Sequence, residues 1–314
     1  MEMKRVVVSG GTGLIGRDLV ARLTADGHEI VVLSRNPQKY RSALPQGVSA
    51  VFWDARTVGE WAQMVDGSDV VINLAGESLS GDGFLPDRWT AEKKRRIRDS
   101  RVFAGSAIVE AIKIAGKKPE VLIQASAVGY YGPRAGEWVD ESEEPGNDFL
   151  AALCVEWEAV TEPVEALGVR RVISRLGLVL SNDGGALPRL LLPAKLFAGG
   201  YFGNGRQYWP WIHIDDSIRA LRFLMENGSA KGPFNLVAPH PATSREFGQA
   251  LGRALSRPSI MPVPSFAMRL LAGEAATTVL DGQRAAPRKL DELGFVFRFP
   301  ELDAALLDLA RDGA

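Results

Sequence analysis

Three glycines near the start of the chain, Gly10, Gly13 and Gly16, follow the run Val6-Val7-Val8. They precede Leu14, Ile15, Leu19, Val20 and Leu23, which are spaced along one helical face. A strand, a glycine turn and a helix in that order bring backbone N–H groups and the positive end of a helix dipole to one point, where they bind an anion. The first glycine permits a tight turn, the second lets the backbone approach a pyrophosphate, and the third lets the helix pack close to the strand. The pattern is a dinucleotide fingerprint, with Gly10, Thr12, Gly13, Leu14, Ile15 and Gly16 as candidate contacts. Nineteen residues after Gly16 the second apolar run ends in Ser34-Arg35. No carboxylate stands there to take a ribose 2′-hydroxyl, whereas Arg35 offers a guanidinium to a 2′-phosphate. The expected cofactor is NADP(H).

The elements that must position these groups follow from the alternation of short apolar runs with longer amphipathic stretches. Runs at 5–9, 29–34, 48–53, 69–74, 121–125 and 171–180 read as strands, and 14–26, 100–115 and 149–167 as helices. Consecutive Val and Ile suit strands covered on both faces. The expected fold is α/β, a Rossmann-type doubly wound parallel sheet with a small, mostly helical C-terminal lobe. Residues 1–240 read as the nucleotide-binding domain, with 181–210 contributing to a substrate lobe, and 241–314 as a small substrate or lid domain. A helix over 216–227 with Asp215 or Asp216 as its cap, a strand at 234–237 and an amphipathic helix at 302–310 complete the reading.

Composition narrows the function further. Of 314 residues, 37 are basic and 38 acidic, so no global field draws the protein to nucleic acid. The basic run from Lys93 to Arg101 reads mainly as a solvated helix face. No stretch supplies the ~20 uninterrupted apolar residues of a membrane span, and no N-terminal targeting segment is evident. A single cysteine, Cys154, excludes an internal disulfide framework and a thiolate metal cluster, and the three histidines are scattered. A cytoplasmic protein with a small-molecule substrate and no metal is expected.

Several segments together resemble the extended short-chain dehydrogenase/reductase superfamily. More narrowly, the chain is similar to an atypical NAD(P)-dependent, epimerase-like branch with a short C-terminal domain of unassigned function. The segments are Gly10–Gly16, Val32–Arg35, Asn73–Glu77, Ala125–Gly132, Trp209–Asp216, Gly282–Arg284 and Phe299–Leu302. The resemblance implies cofactor contacts at Ser34 and Arg35, at Leu74, Ala75 and Gly76, at Arg101 and at Leu178, and an adenine contact at Asp54. It also implies a catalytic Tyr with Lys four residues on, where the cation favours the phenolate, and a Ser that orients the substrate oxygen.

Here the chain departs from the pattern. None of its five tyrosines has Lys four residues on, and the best-matching pair in the expected helix is Cys154 and Glu158. An anion there raises the pKa of a neighbouring acid. Ser126, Tyr130 and Tyr131 remain as catalytic candidates at the end of the fifth strand. Cys154 reads as structural, and His213 as a hydrogen-bonded structural residue. The expected function is an NADP(H)-binding oxidoreductase or epimerase-like enzyme acting on a small polar, nucleotide-sugar-like substrate. The alternative is a catalytically inactive NADP(H)-binding sensor or scaffold.

Overall fold

The computed structural model describes residues 2–81, 83 and 87–312. Seven strands form the central sheet: β1 (Arg5–Ser9), β2 (Glu29–Ser34), β3 (Ser49–Phe52), β4 (Val70–Asn73), β5 (Val121–Ala127), β6 (Arg170–Leu176) and β7 (Gly232–Leu236). Their order is β7-β6-β5-β4-β1-β2-β3, and every neighbouring pair is parallel. The direction of strand addition reverses at β1, so a crevice opens between the carboxyl ends of β1 and β4, where such sheets bind ligands.

The valine run of β1 illustrates why the strand is apolar at every position. Val6 and Val8 face a core with Leu19 and Leu23 of helix α1 (Leu14–Ala25). Val7 points to the other face, with Ile108 and Ile112 of α2 (Ala91–Ile114). Helix α3 (Phe149–Ala159) lies beside α2, and α4 (Ile214–Glu226) packs beside α1. The helix α5 (Ser244–Leu255) and the C-terminal α6 (Leu302–Asp312) form a separate core around Phe247, Leu251 and Leu306, reaching Leu180 and Trp211.

Several boundaries differ from the sequence reading, each for a local reason. Helix α2 begins nine residues before the expected start because Thr90 caps it, its hydroxyl accepting from Lys93 N; its first turns are charged and carry little apolar periodicity. The helix expected over 149–167 breaks after Ala159 and resumes as a short 3-10 segment, Glu162–Leu167, where Pro163 cannot donate a backbone hydrogen bond. The run expected as one strand over 171–180 is two. A Cβ on Gly177 would lie 2.4 Å from the Pro210 carbonyl oxygen, and beyond this close approach Leu178–Leu180 leaves the main sheet to pair with Trp211–His213. The last strand starts two residues earlier than expected and ends one residue sooner.

The cap of α4 is neither Asp215 nor Asp216. His213 holds that place, its Nδ1 accepting from Asp215 N at 3.1 Å. Asp216 instead is fully buried and turns to the chain before α6: it accepts from Arg298 N and Phe299 N, each at 2.8 Å, and from Arg219. The two backbone donors on this buried carboxylate fix the C-terminal segment to α4. Asp216→Ala strands the buried Phe299 amide and the part-buried Arg298 amide and is expected to lower stability by roughly 3 kcal/mol, read by urea denaturation.

Candidate functional site

The glycine turn is built by close approach. Gly10 has φ +70°, and a Cβ there would stand 2.6 Å from the Leu74 carbonyl oxygen; a Cβ on Gly16 would stand 2.2 Å from that of Gly10. Gly13 N donates to Gly10 O at 2.9 Å, closing the turn. Gly13 then starts α1 with no side-chain cap and no acidic residue in the first turn. The helix therefore presents its unpaired N–H groups and positive dipole end at the crevice between β1 and β4. Thr12, Leu14 and Ile15 are half-buried around the turn.

The expected contacts Ser34, Arg35, Asp54 and Leu74–Gly76 lie at the carboxyl ends of β2, β3 and β4. Ser34 is buried, and its hydroxyl accepts from Asn36 N at 3.2 Å. Arg35 next to it is exposed and forms no ion pair or hydrogen bond among the described residues. Asp54 is exposed, with its oxygens taken up by Arg56 N, Thr57 N and the Thr57 hydroxyl; the Thr57 bonds hold its carboxyl below the usual range. The loop Leu74–Gly76 is held by a buried chain in which Ser9 donates to Asn73, and Asn73 donates to Gln124. Ala75 N also donates to the Asn73 side-chain oxygen Oδ1 at 3.3 Å.

Arg101 rises from α2 beneath this loop. Its Nη1 donates to the carbonyls of Glu77 and Ile97, and its guanidinium lies 4.8 Å from the Trp157 ring centroid. A Cβ on Gly76 would come 3.1 Å from its Cζ. No carboxylate lies within ion-pair distance among the described residues, and burial pulls its pKa down to about 10. Leu178, half-buried, donates its N–H to Pro210 O at 2.7 Å at the start of the strand that departs from the sheet.

Ser126, Tyr130 and Tyr131 come together at the carboxyl end of β5, around two residues that sequence reasoning did not assign to the site. Arg175 of β6, opposite Ser126 in the sheet register, forms a two-pronged pair with Glu158, Nε–Oε1 and Nη2–Oε2 both at 2.9 Å. The side chains are only 4% and 13% exposed. Ser126 donates to Glu158 Oε1 at 2.6 Å. Arg175 Nη1 donates to the Tyr131 hydroxyl, which donates to Asn235 Oδ1 at 2.7 Å. Tyr131 is fully buried, and burial pushes its phenol up to about 12.

Tyr130 differs from its neighbour. Its ring sits 3.5 Å from Arg175 Cζ, it is half-buried, and its hydroxyl has no hydrogen-bond partner among the described residues. Arg175 had a weak signal, a third cation in a strand that opens with Arg170 and Arg171; Asn235 had none. Cys154 lies one turn from Glu158 on α3, packed against Ala127 O at 3.6 Å. Burial, followed by the charge of Glu158, pushes its thiol up to about 12. No group of three or more potential metal ligands occurs among the described residues.

The profile of the NAD dependent epimerase/dehydratase family matches residues 6–237. The chain belongs to this family. A domain of unknown function matches residues 263–309. "Epimerase family protein SA0724" of Staphylococcus aureus strain N315 is 40% identical over 312 residues, 99% of this chain and 100% of that protein. The human epimerase family protein SDR39U1 (isoform 2), solved with NADPH, superposes with a TM-score of 0.87 at 35% identity, covering 98% of this chain and 99% of that one. A nucleoside-diphosphate sugar epimerase from Corynebacterium glutamicum matches at 31% identity and TM-score 0.77, over 99% of this chain and 59% of its own.

Two measurements follow from the buried groups of this family member. Cys154 is expected to react with a thiol reagent only slowly in the native protein and fully on denaturation. Burial pulls His213 below the ordinary histidine pKa, against the pull of Asp308. Its stabilising share is complete above about 6.5 and is lost as pH falls toward the depressed folded value. His213→Asn, which keeps a capping oxygen, is expected to flatten the fall in stability between about pH 7 and 5.

Proposed function

We propose that the chain binds NADP(H) and uses it in an oxidoreductase or epimerase-like reaction on a small polar substrate of the nucleotide-sugar kind. The observation that carries this reading is Arg35, an exposed guanidinium without an internal partner, at the end of a β2 strand that offers no carboxylate to a ribose hydroxyl. The uncapped start of α1 would hold the pyrophosphate, and Leu74–Gly76 would flank the adenosine half. The NADPH found with the human relative supports the choice of phosphate-bearing cofactor. No described helix is long and apolar enough to cross a membrane, and the lone buried thiol fits a cytoplasmic setting.

The bound cofactor supplies or accepts hydride at its nicotinamide. In this reading Tyr130 supplies the proton for the substrate oxygen, because its hydroxyl is the one among the three candidates left without an internal partner. Arg175 against its ring opposes the negative charge that builds as the proton leaves. Glu158 neutralises Arg175 and orients Ser126; Tyr131 is committed to Asn235 and Arg175. The short C-terminal helices would close over the substrate. One observation favours the second reading, a sensor or scaffold that binds cofactor without turnover: none of the five tyrosines has Lys four residues on, and the best-matching pair is Cys154 and Glu158.

Arg35→Glu is expected to weaken NADPH binding about tenfold or more while changing NADH binding little, measured by nicotinamide fluorescence. An unchanged NADPH affinity would remove the cofactor assignment. Tyr130→Phe is expected to abolish carbonyl reduction by NADPH with a substrate panel, leaving cofactor affinity intact, while Tyr131→Phe keeps turnover. Absence of turnover in the wild-type protein despite NADPH binding would favour the sensor.

A further inference from the structure

On the flank formed by α1 and α4 lies a second concentration of charge that the proposed reaction does not use. Arg22, Arg219, Arg222 and Arg298 line one groove of about 420 Å³ with Asp215, and Val296 and Phe297 form its apolar wall. Arg22 stands eight residues along α1 from Leu14, roughly 12 Å at the helical rise, so the groove is separate from the glycine turn.

The cations here are incompletely matched. Arg219 and Arg222 have close partners in Asp216 and Asp26, each at 2.7 Å. Asp215 serves two cations at once, Arg22 at 3.3 Å and Arg298 at 3.5 Å. Both contacts are longer than a strong charge-assisted hydrogen bond, about 2.7–2.9 Å. Arg222 Nε is buried and finds no acceptor. Four guanidinium groups thus face three carboxylates, with donors left over and two of the pairings loose.

We propose that this groove binds a phosphate-bearing small molecule of nucleotide size. Planar guanidinium forks match phosphate oxygens two at a time, and several converge here. The phosphate would take the loosely held donors of Arg22 and Arg298, and Asp215 would keep the N-terminus of α4 as its partner. The volume falls within the range of small-molecule sites, about 300–1,000 Å³, and exceeds what a lone phosphate needs. Phe297 and Val296 supply a surface for an apolar or aromatic ring on the same ligand.

The test is calorimetric titration of inorganic pyrophosphate and of ADP into the full chain held in excess NADPH, so that the dinucleotide crevice competes for neither probe. Saturable binding is expected that weakens as salt rises, with ADP tighter than pyrophosphate. Arg22→Gln and Arg298→Gln are each expected to weaken it about tenfold. The two side chains are 48% and 63% exposed, and unchanged thermal melting of the variants checks that the fold is intact. The dependence on Arg22 and Arg298 reports this groove whether or not NADPH occupies the crevice. Absence of saturable binding by either probe, or binding that both variants leave unchanged, would overturn the proposal.

Discussion

Glu158 and Arg175 meet at the edge of a sheet that is covered on both faces, where neither charge is tolerated alone. Their two-pronged contact joins α3 to β6 and holds Ser126 of β5 through the same carboxylate. Around the guanidinium the two tyrosines take up opposite roles. Tyr131 spends its hydroxyl on the frame, while Tyr130 lies against the cation with its hydroxyl unspent. A buried pair is weak evidence for stability but strong evidence for geometry, since removing either partner leaves an uncompensated charge. The carboxyl ends of β5 and β6 are thus organised by a buried ion pair.

The glycine turn at the other end depends on backbone alone. Gly10 and Gly16 leave room that a single Cβ would fill, and the N–H groups of α1 need no particular side chain. Such a site survives changes elsewhere so long as the glycines stay. Proton transfer, in contrast, depends on which side chain reaches one point, and the fold tolerates many occupants there.

Asp216 ties these parts to the C-terminal segment. A carboxylate in the first turn of α4 would ordinarily be read as a partner of its own helix terminus. Here it is buried and accepts two backbone amides from residues 298 and 299, far along the chain. The same junction brings Arg298 beside Arg22, so one contact both secures the C-terminal helix and creates the cationic groove.

The strand–glycine–helix opening and the parallel α/β sheet were legible in the chain because they rest on local signals. Doubly buried strands are continuously apolar, helices show a 3.6-residue stripe, and glycines sit where the backbone must bend or approach. The interruption at Gly177 and the His213 cap were not legible, since each depends on a neighbour, Pro210 in one case and helix entry in the other. Cys154 and Glu158 could be named from their spacing. That Glu158 pairs with Arg175, and that this leaves Tyr130 rather than Tyr131 or Ser126 with a free hydroxyl, required strands 5 and 6 to be side by side. Local periodicity determines which segments are buried; only packing decides which buried charges meet.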